Sequence, residues 1–545
     1  MIEVVLISGH LKTGKTFVAE KLSSEHKYYN FRTSEFLKKK PMFRTVKSRK
    51  KLQQLGAKLD RRTGSKWLYK EVEKLISAGD KKIVVDHIRN FSQLQHFRNQ
   101  PNWKIIHVHL YGSKKQLQEE YQKQHEEEGI TYDQADPIES EEDIEKFKSD
   151  ADIRINTNRS DFEDTFIRVA SRLRIYSEPE RQCVDVLIGG QFGSEGKGHI
   201  AGKLAKEYDL VIRVGGPNAG HTVSSETGVY TYHQLPSGSK DCKAKILLGP
   251  GMTIDKAKLL KEIDQCGIGP DRLCIDPQAM IIQQKHVDQE TDMKDEIGST
   301  ASGSGAAAAA KILGRTSTPP TLAKDDAELT IYTEKRPGFA GDAVSELEMH
   351  YRERKKILLE GTQGSGLSIF NGQYPYVTSR DTNVAGCLAE VGISPKRVRR
   401  IIMVVRTTPI RVGNPDGGKF SSGGLKNETT FADIAKSAGL DPDKVTEAEK
   451  TSTTNRYRRV GWFDWELFRR SCMINTPTDI VLTFADYLSK ANQNARRFEQ
   501  LKEDTIKFIE EIEHVAQAPV SIINTKFPNV DDQSDIRSMI DRRSW

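Results

Sequence analysis

Cysteine is scarce: six residues in 545 (Cys183, Cys242, Cys266, Cys274, Cys387, Cys472), with no CxxC pair and no histidine pair beside them. A disulfide framework and a zinc site are both excluded as organising devices, and reduced, buried thiols are expected. Long apolar runs are also missing, since no stretch approaches the ~20 residues needed to span a bilayer. No basic leader or cleavage pattern precedes the strand-like start MIEVVLISGHLKTGK, so a soluble, cytoplasmic protein is expected. Charge of one sign is modest, at +7 from 83 basic and 76 acidic residues. That suits anionic small molecules and makes nucleic acid an unlikely partner. The densest basic run, Lys38 to Lys40 with Arg44, Lys47 and Arg49 to Lys51, reads first as a solvated helical face. A mononucleotide-facing surface comes second and a nucleic-acid surface last.

What is present is α/β patterning, on a length that fits two to four domains. Over the first ~175 residues, buried-type strands (Ile2 to Ser8, Lys82 to Asp86, Lys104 to Leu110, Ala151 to Asn156) alternate with helical patterns (Lys15 to Ser23, Leu52 to Ala78, Asp161 to Leu173). This is the signature of a parallel sheet covered by helices. The acidic stretch Glu119 to Glu145 reads as an exposed helix and lid-like loop. After the short polar segment RIYSEPERQ a second strand-plus-glycine-loop unit begins, which places domains at 1–178 and 179–545. Further strands are expected at Leu210 to Val214, Lys245 to Leu248, Ile357 to Leu359, Arg400 to Val405 and Asp479 to Leu482. The small-residue run Gly298 to Lys311 reads either as a flexible linker or as a glycine loop feeding an alanine-rich helix.

Gly9-x-x-x-x-Gly14-Lys15-Thr16 lies between an expected strand and an expected helix. In that setting backbone N–H groups surround phosphates, Lys15 neutralises them and Thr16 offers its hydroxyl to magnesium. Asp86, ending the strand IVVD, is a candidate to hold Mg2+ through water, or else a strand-end cap. On GHLKTGKT, VVDHIRN, LQQLGAKL and ADIRINTN, residues 1 to about 175 resemble the small P-loop nucleoside-monophosphate kinases. The resemblance implies a three-layer parallel sheet, ATP binding and phosphoryl transfer to a nucleotide, with Arg32 and Arg89 as acceptor-phosphate contacts. The corresponding lid stretch LQEEYQKQHEEE carries none of the arginines usual in that family, so a nucleotide-sensing domain competes with an active kinase.

The second half carries GGQFGSEGKG (Gly189 to Gly198), VGGPNAGHT, HQLPSG, EGTQGSGLSIFNGQYPYVTSRDTNVAG, RVGNP and TSTTNRYRRVGW. Their glycine density favours close backbone approach to phosphates, and Arg456, Arg458 and Arg459 form a cluster of fork donors. In this order the segments resemble adenylosuccinate synthetase across nearly all of residues 183 to 545. The resemblance implies an α/β ligase in which a nucleoside triphosphate phosphorylates the O6 of a 6-oxopurine nucleotide and L-aspartate displaces the phosphate. It implies His221 as general acid, Lys197 at the transferring phosphoryl group, and Mg2+ held with help from the Gly220 carbonyl and the residue at 194. It further implies Asn218, Thr300, Gln363, Thr378 and Val412 as acceptor-nucleotide contacts. Thr453, Thr454 and Arg456 would receive aspartate, and Gly193, Gly196, Gly198, Arg458 and Asp486 would meet the ATP or GTP donor. The family is homodimeric, with an arginine reaching the partner's nucleotide. Gly314 stands at that aligned position and Arg315 beside it.

Three departures bear on specificity. Ser194 replaces the aspartate that takes the N1 proton, and a hydroxyl is no base near neutral pH without an activating partner. Thr483-Phe-Ala-Asp486 keeps the base-reading aspartate but lacks the lysine. Asn524 to Pro528 replaces a glycine-containing segment that closes over guanine. These resemble the phage-type 2-aminoadenylosuccinate synthetase branch, which implies a dGMP-like acceptor and an ATP donor. A hydroxyl at 194 opens room beside the purine and can accept from a 2-amino group. An ordinary IMP- and GTP-using enzyme, or a nucleotide sensor, stands as the alternative. Glu195 and Asp381 are both placed to assist the missing base.

Overall fold

The computed structural model describes all residues except 1, 40–48, 125–131, 133–140, 159, 177, 179–180, 226–227, 416–420, 451–456, 527–538 and 545. Its contacts divide the chain into two units, Met1–Tyr176 and Ser177–Trp545.

The first unit is built on β1 (Ile2–Gly9), β2 (Tyr29–Phe31), β3 (Lys82–Val85), β4 (Trp103–Tyr111) and β5 (Ile153–Asn156). They form one parallel sheet in the order β2-β3-β1-β4-β5. Strand alternation sends Val5 and Ile7 to one face and Val4 and Leu6 to the other. One face packs on Val18, Leu22, Phe166 and Val169, the other on Trp67, Leu68, Leu94 and Phe147, which gives the three layers. The single helix expected over Leu52 to Ala78 is instead two, Arg49–Thr63 and Trp67–Ser77. Gly64 and Ser65 have φ of 55° and 58° and break it, a left-handed pair that no continuous α-helix contains. Trp67 Nε1 then reaches back to Asp60 at 2.6 Å and fixes the corner. Of the acidic stretch, the helices Lys114–Gln124 and Glu141–Asp150 are described, and the lid-like loop between them lies largely outside the described residues. So do residues 40–48, in the middle of the basic run.

The second unit carries β6 (Val184–Gly189), β7 (Leu210–Arg213), β8 (His221–Ser225), β9 (Gly228–Tyr232), β10 (Lys245–Leu248), β11 (Thr253–Ile254), β12 (Leu273–Ile275) and β13 (Met280–Ile281). It continues with β14 (Ile357–Glu360), β15 (Val398–Arg406), β16 (Ile410–Arg411), β17 (Glu428–Thr429), β18 (Arg459–Gly461), β19 (Asp479–Thr483), β20 (Val520–Asn524) and β21 (Met539–Asp541). Nine strands form the main sheet in the order β12-β10-β7-β14-β6-β15-β19-β20-β21, parallel but for β21. Because β6, β7, β14, β19 and the second half of β15 are central and buried on both faces, they read as Val/Ile/Leu-rich runs. Their carboxyl ends converge, and in an open parallel sheet that edge is where loops build a site. The small-residue run resolves into a loop and the helix Ser304–Leu313, capped by Gly303 at φ 77°. Among the described residues, no helix is long and apolar enough to cross a membrane.

Candidate functional site

Two glycine loops, one in each unit, follow the same local logic: a buried strand ends, glycines turn left-handed, and a helix begins with a lysine. In the first unit Gly9 and Gly14 have φ of 140° and 85°, and the helix Lys15–His26 starts directly after Gly14. The Lys15 ammonium donates to the Gly9 and His10 carbonyls at 2.7 and 2.5 Å. A cavity of about 390 Å³ opens here, lined by Lys15, Thr16, Thr33, Asp86, Arg89 and Phe162 among others. Asp86 Oδ1 accepts from the Thr33 amide at 3.0 Å and hydroxyl at 3.1 Å, and burial raises its pKa despite these bonds. Arg89 enters the cavity over Gly56, where a Cβ would come within 1.6 Å of its Nη1. Arg32 is taken by Glu20 and Glu35 at 2.6 and 3.0 Å and does not line the cavity.

In the second unit the loop after β6 closes on itself. Glu195 Oε1 accepts the Gln191 and Gly193 amides, each at 2.9 Å, and its Oε2 takes the Lys197 ammonium at 2.6 Å. Lys197 also donates to the Gly193 carbonyl at 3.1 Å, and both charged residues are 1% exposed. Gly193 and Gly196 supply φ of 102° and 86°, so that the helix Lys197–Leu204 can start from Gly196. Ser194 is half-buried, and its carbonyl accepts from Arg406 Nη1 at 3.4 Å. Gly198 is required by contact rather than by φ: a Cβ there would lie 2.5 Å from the His221 Cβ.

His221 opens β8 against this helix. Its Nδ1 lies 2.5 Å from Glu360 Oε1, and Arg213 Nη1 stands 3.2 Å from the same nitrogen. Ser237 adds its hydroxyl to Glu360 Oε1 at 2.5 Å and its amide to Oε2 at 2.7 Å. Arg213 and these bonds hold the Glu360 carboxyl down to about 2, overcoming its burial. An ionised Glu360 requires a proton on Nδ1. Nε2 then carries the lone pair, and it is buried with no partner among the described residues. Burial, with Arg213 next and Lys197 adding, lowers the imidazole pKa to about 4 against the pull of Glu360.

The remaining expected positions divide into three groups. Gln363, at φ 56°, places its Cα 3.0 Å from where a Gly193 Cβ would be, and Asn218 Oδ1 accepts from Ser304 Oγ at 2.5 Å, which joins the NAG segment to the alanine helix. Thr483 Oγ1 donates to the Glu195 carbonyl at 2.7 Å, which brings the Asp486 segment against the loop. Arg458 reaches the same cluster through Glu449 at 3.3 Å. The second group faces solvent or is held by local partners. Thr300 and Val412 are exposed, Thr378 is half-buried and gives its amide to the Leu367 carbonyl, and Arg315, just past the helix Ser304–Leu313, is exposed and donates back to the Ile312 carbonyl. Thr453, Thr454 and Arg456 lie outside the described residues. As for the two candidate helpers, Glu195 is inside the loop, whereas Asp381 is engaged in its own turn by Ser368 and Asn383 at 2.7 and 2.8 Å.

Sequence reasoning gave no role to Arg213, Ser237, Glu360, Arg406 or Glu449. Glu449, 3% exposed, takes Arg406 at 2.7 Å and the Tyr487 hydroxyl at 2.8 Å. The signal available for Glu360 was a carboxylate ending the wholly apolar run ILL. Among the described residues, no group of three or more His, Cys, Asp or Glu can hold a metal. Magnesium nevertheless fits, since it keeps waters and uses one or two protein oxygens plus substrate phosphates. Gly220 and Ser194, both half-buried residues, could offer such oxygens in the second unit, and Thr16, which lines the cavity, could in the first.

The family model for adenylosuccinate synthetase matches residues 186–327 and 321–494. An adenylosuccinate synthetase of Methanocaldococcus jannaschii is 36% identical over 363 residues, 65% of this chain and 96% of that protein. The succinoaminodeoxyadenylate synthetase of cyanophage S-2L, solved bound to dGMP and dATP as an energy donor, overlays 67% of this chain and 96% of its own at 28% identity and TM-score 0.54. The fully ligated adenylosuccinate synthetase of Plasmodium falciparum covers 66% of this chain and 100% of its own at 26% identity and TM-score 0.56. Family model and relatives agree: the chain belongs to the adenylosuccinate synthetase family, and its second unit is a ligase of that type.

Proposed function

We propose that the second unit joins L-aspartate to C6 of a guanine nucleoside monophosphate such as dGMP, with ATP as phosphoryl donor. The observation that carries this reading is Ser194: a half-buried hydroxyl stands at the turn of the catalytic loop where the common enzyme has a carboxylate. A short hydroxyl leaves room for the purine 2-amino group and can accept its hydrogen bond. The solved cyanophage relative with dGMP and dATP supports the same acceptor and donor classes.

In this reading the acceptor lies between the loop Gly189 to Gly198 and Gln363, with its phosphate toward Asn218, Thr300 and the partner protomer's Arg315 in a homodimer. Thr378 and Val412 complete the acceptor contacts. Glu360 fixes the imidazole so that Nε2 of His221 addresses the 6-oxygen. The incoming phosphates bring negative charge that favours the imidazolium. Lys197 exchanges Glu195 for the transferring phosphoryl group, and Arg458 exchanges Glu449 for the donor. Thr453, Thr454 and Arg456 receive the aspartate carboxylates. The Gly220 carbonyl and Ser194 would help hold Mg2+ with the phosphates, and the ion would supply charge neutralisation there.

The test is product mass. The full chain with aspartate, ATP and Mg2+ is offered dGMP or IMP, and dGMP is expected to give the succinylated product. Exclusive succinylation of IMP would return the protein to the ordinary reaction.

For the first unit we propose ATP–Mg2+ binding at Gly9, Gly14, Lys15 and Thr16, with Asp86 near the metal. A sensor role gains support from Arg32, which is paired with two glutamates rather than facing the cavity. With aspartate left out, ADP formation that depends on an added nucleoside monophosphate and is lost in Lys15→Ala marks a kinase. Unchanged ADP formation in that variant marks a sensor.

A further inference from the structure

Asp486 lies just beyond β19 in the short turn Ala485–Tyr487 and is 4% exposed. Its two oxygens are unequal: Oδ2 accepts from Gln493 Nε2 at 3.1 Å, whereas Oδ1 is buried with no partner among the described residues. Gln493 is itself held. Arg496 Nη1 donates to its carbonyl at 3.1 Å, and the neighbouring Asn492 side chain donates to the Ala485 carbonyl at 2.8 Å. These bonds tie the turn bearing Gln493 to the turn bearing Asp486. Phe484, at φ 58°, stands where a lysine is usual in the family, and its ring is covered by the Arg406 guanidinium 3.8 Å from its centre. No cation from that position is available to pair with the 6-oxygen of a guanine.

We propose that Gln493 is a specificity-determining residue of the donor site: by donating to Oδ2 of Asp486 it leaves Oδ1 as the one unencumbered acceptor. This rests on the reading of Asp486 as the donor-base contact. An adenine offers one exocyclic donor, its 6-amino group, to that oxygen. A guanine offers two adjacent donors, N1–H and the 2-amino group. Both oxygens of an unencumbered carboxylate would accept them side by side, but the Gln493 amide donates to Oδ2 and crowds its remaining lone pair, so one guanine donor is left poorly met. Leaving such a group unmet costs about tenfold or more in selectivity.

The experiment uses the full chain with fixed acceptor and aspartate, and compares kcat/KM for ATP, GTP and ITP by formation of the succinylated nucleotide. The expected order is ATP, then ITP, which lacks the 2-amino group, then GTP. Gln493→Leu and Gln493→Ala should narrow the ATP-to-GTP ratio by about tenfold or more while leaving the acceptor KM unchanged. GTP equal to or better than ATP, or ITP no better than GTP, overturns the assignment of Gln493 and leaves the ligase reading standing. So does an unchanged ratio in folded variants. If the variants fail to fold, the ITP and GTP comparison on the native chain decides. Absence of succinylated product with every donor overturns both readings.

Discussion

Glu360 Oε1 and His221 Nδ1 meet at 2.5 Å inside the second unit, the carboxylate held ionised and the ring buried. The pair sets which nitrogen of the histidine is left unprotonated. Under the proposed reaction, Glu360 would orient the imidazole without itself exchanging a proton.

Glu360→Gln keeps the shape and removes the charge that demands a proton on Nδ1. The amide NH2 can face Nδ1 instead and move the proton to Nε2. Turnover is expected to fall about 100-fold or more, with little change in acceptor KM. Steady-state kinetics beside a thermal melt checks this. Near-normal kcat in a folded variant refutes the orienting role.

Lys197→Ala removes the ammonium that pairs with Glu195 Oε2 at 2.6 Å. The loop carboxylate stays buried at 1% exposure. Breaking one half of a buried pair costs about 3–5 kcal/mol, so this variant should lose stability as well as orders of magnitude in turnover. The double variant Glu195→Gln with Lys197→Met should recover most of the stability and none of the activity. Denaturant unfolding of the three chains measures it, and a fully stable single variant would contradict the pairing.

Gly198→Ala inserts a methyl group 2.5 Å from the His221 Cβ. Either the helix Lys197–Leu204 or β8 must shift. Overpacking of this kind costs about 1–3 kcal/mol, and a His221 displaced by even a fraction of an ångström loses its alignment. The expected outcome is a folded protein with strongly reduced kcat, read by kinetics and circular dichroism.

The first unit should be sensitive to acid. His107 and His109, both buried, share the Ser8 hydroxyl at 2.7 and 2.8 Å. Burial pushes each pKa down to about 3, with Arg98 adding for His107 and His107 adding for His109, while Asp152 opposes for His107. Their folded values lie below the unfolded ~6.5, so the unfolded chain binds more protons. The stability they permit is therefore full above ~6.5 and is lost as pH falls toward 3. At pH 5.5 the pair should cost on the order of 2–3 kcal/mol relative to pH 7.5. Hydrogen exchange of residues 103–111 in the full chain, corrected for intrinsic pH dependence, should accelerate accordingly, and unchanged protection would exclude the effect.

Much of this architecture is legible in one dimension. Buried strands of a parallel sheet must be apolar on both faces, so KIVVD, IIHVHL, DVLIG and IVLT announce themselves. Glycine–lysine loops carry their chemistry in adjacent residues. The long helix over Leu52 to Ala78 misled because its apolar period continues through a corner set by two left-handed residues, Gly64 and Ser65. The run of alanines was ambiguous because composition does not separate a linker from a helix. Gly303 and the Glu290 carboxylate, which accepts the Gly303, Gly305 and Ala306 amides, make it a helix.

By itself the sequence determined the two α/β units, the two phosphate-type loops, the family and the substitution at Ser194, because each is written in local periodicity or in contiguous motifs. Only the tertiary structure decided that Glu360, 139 positions from His221, orients it, that Glu195 and not Asp381 sits within the loop, and that Gln493 takes one oxygen of Asp486. The physical reason is that a parallel sheet brings the carboxyl ends of strands distant in sequence to one edge. The charges there are then paired by proximity in space, which no spacing along the chain records.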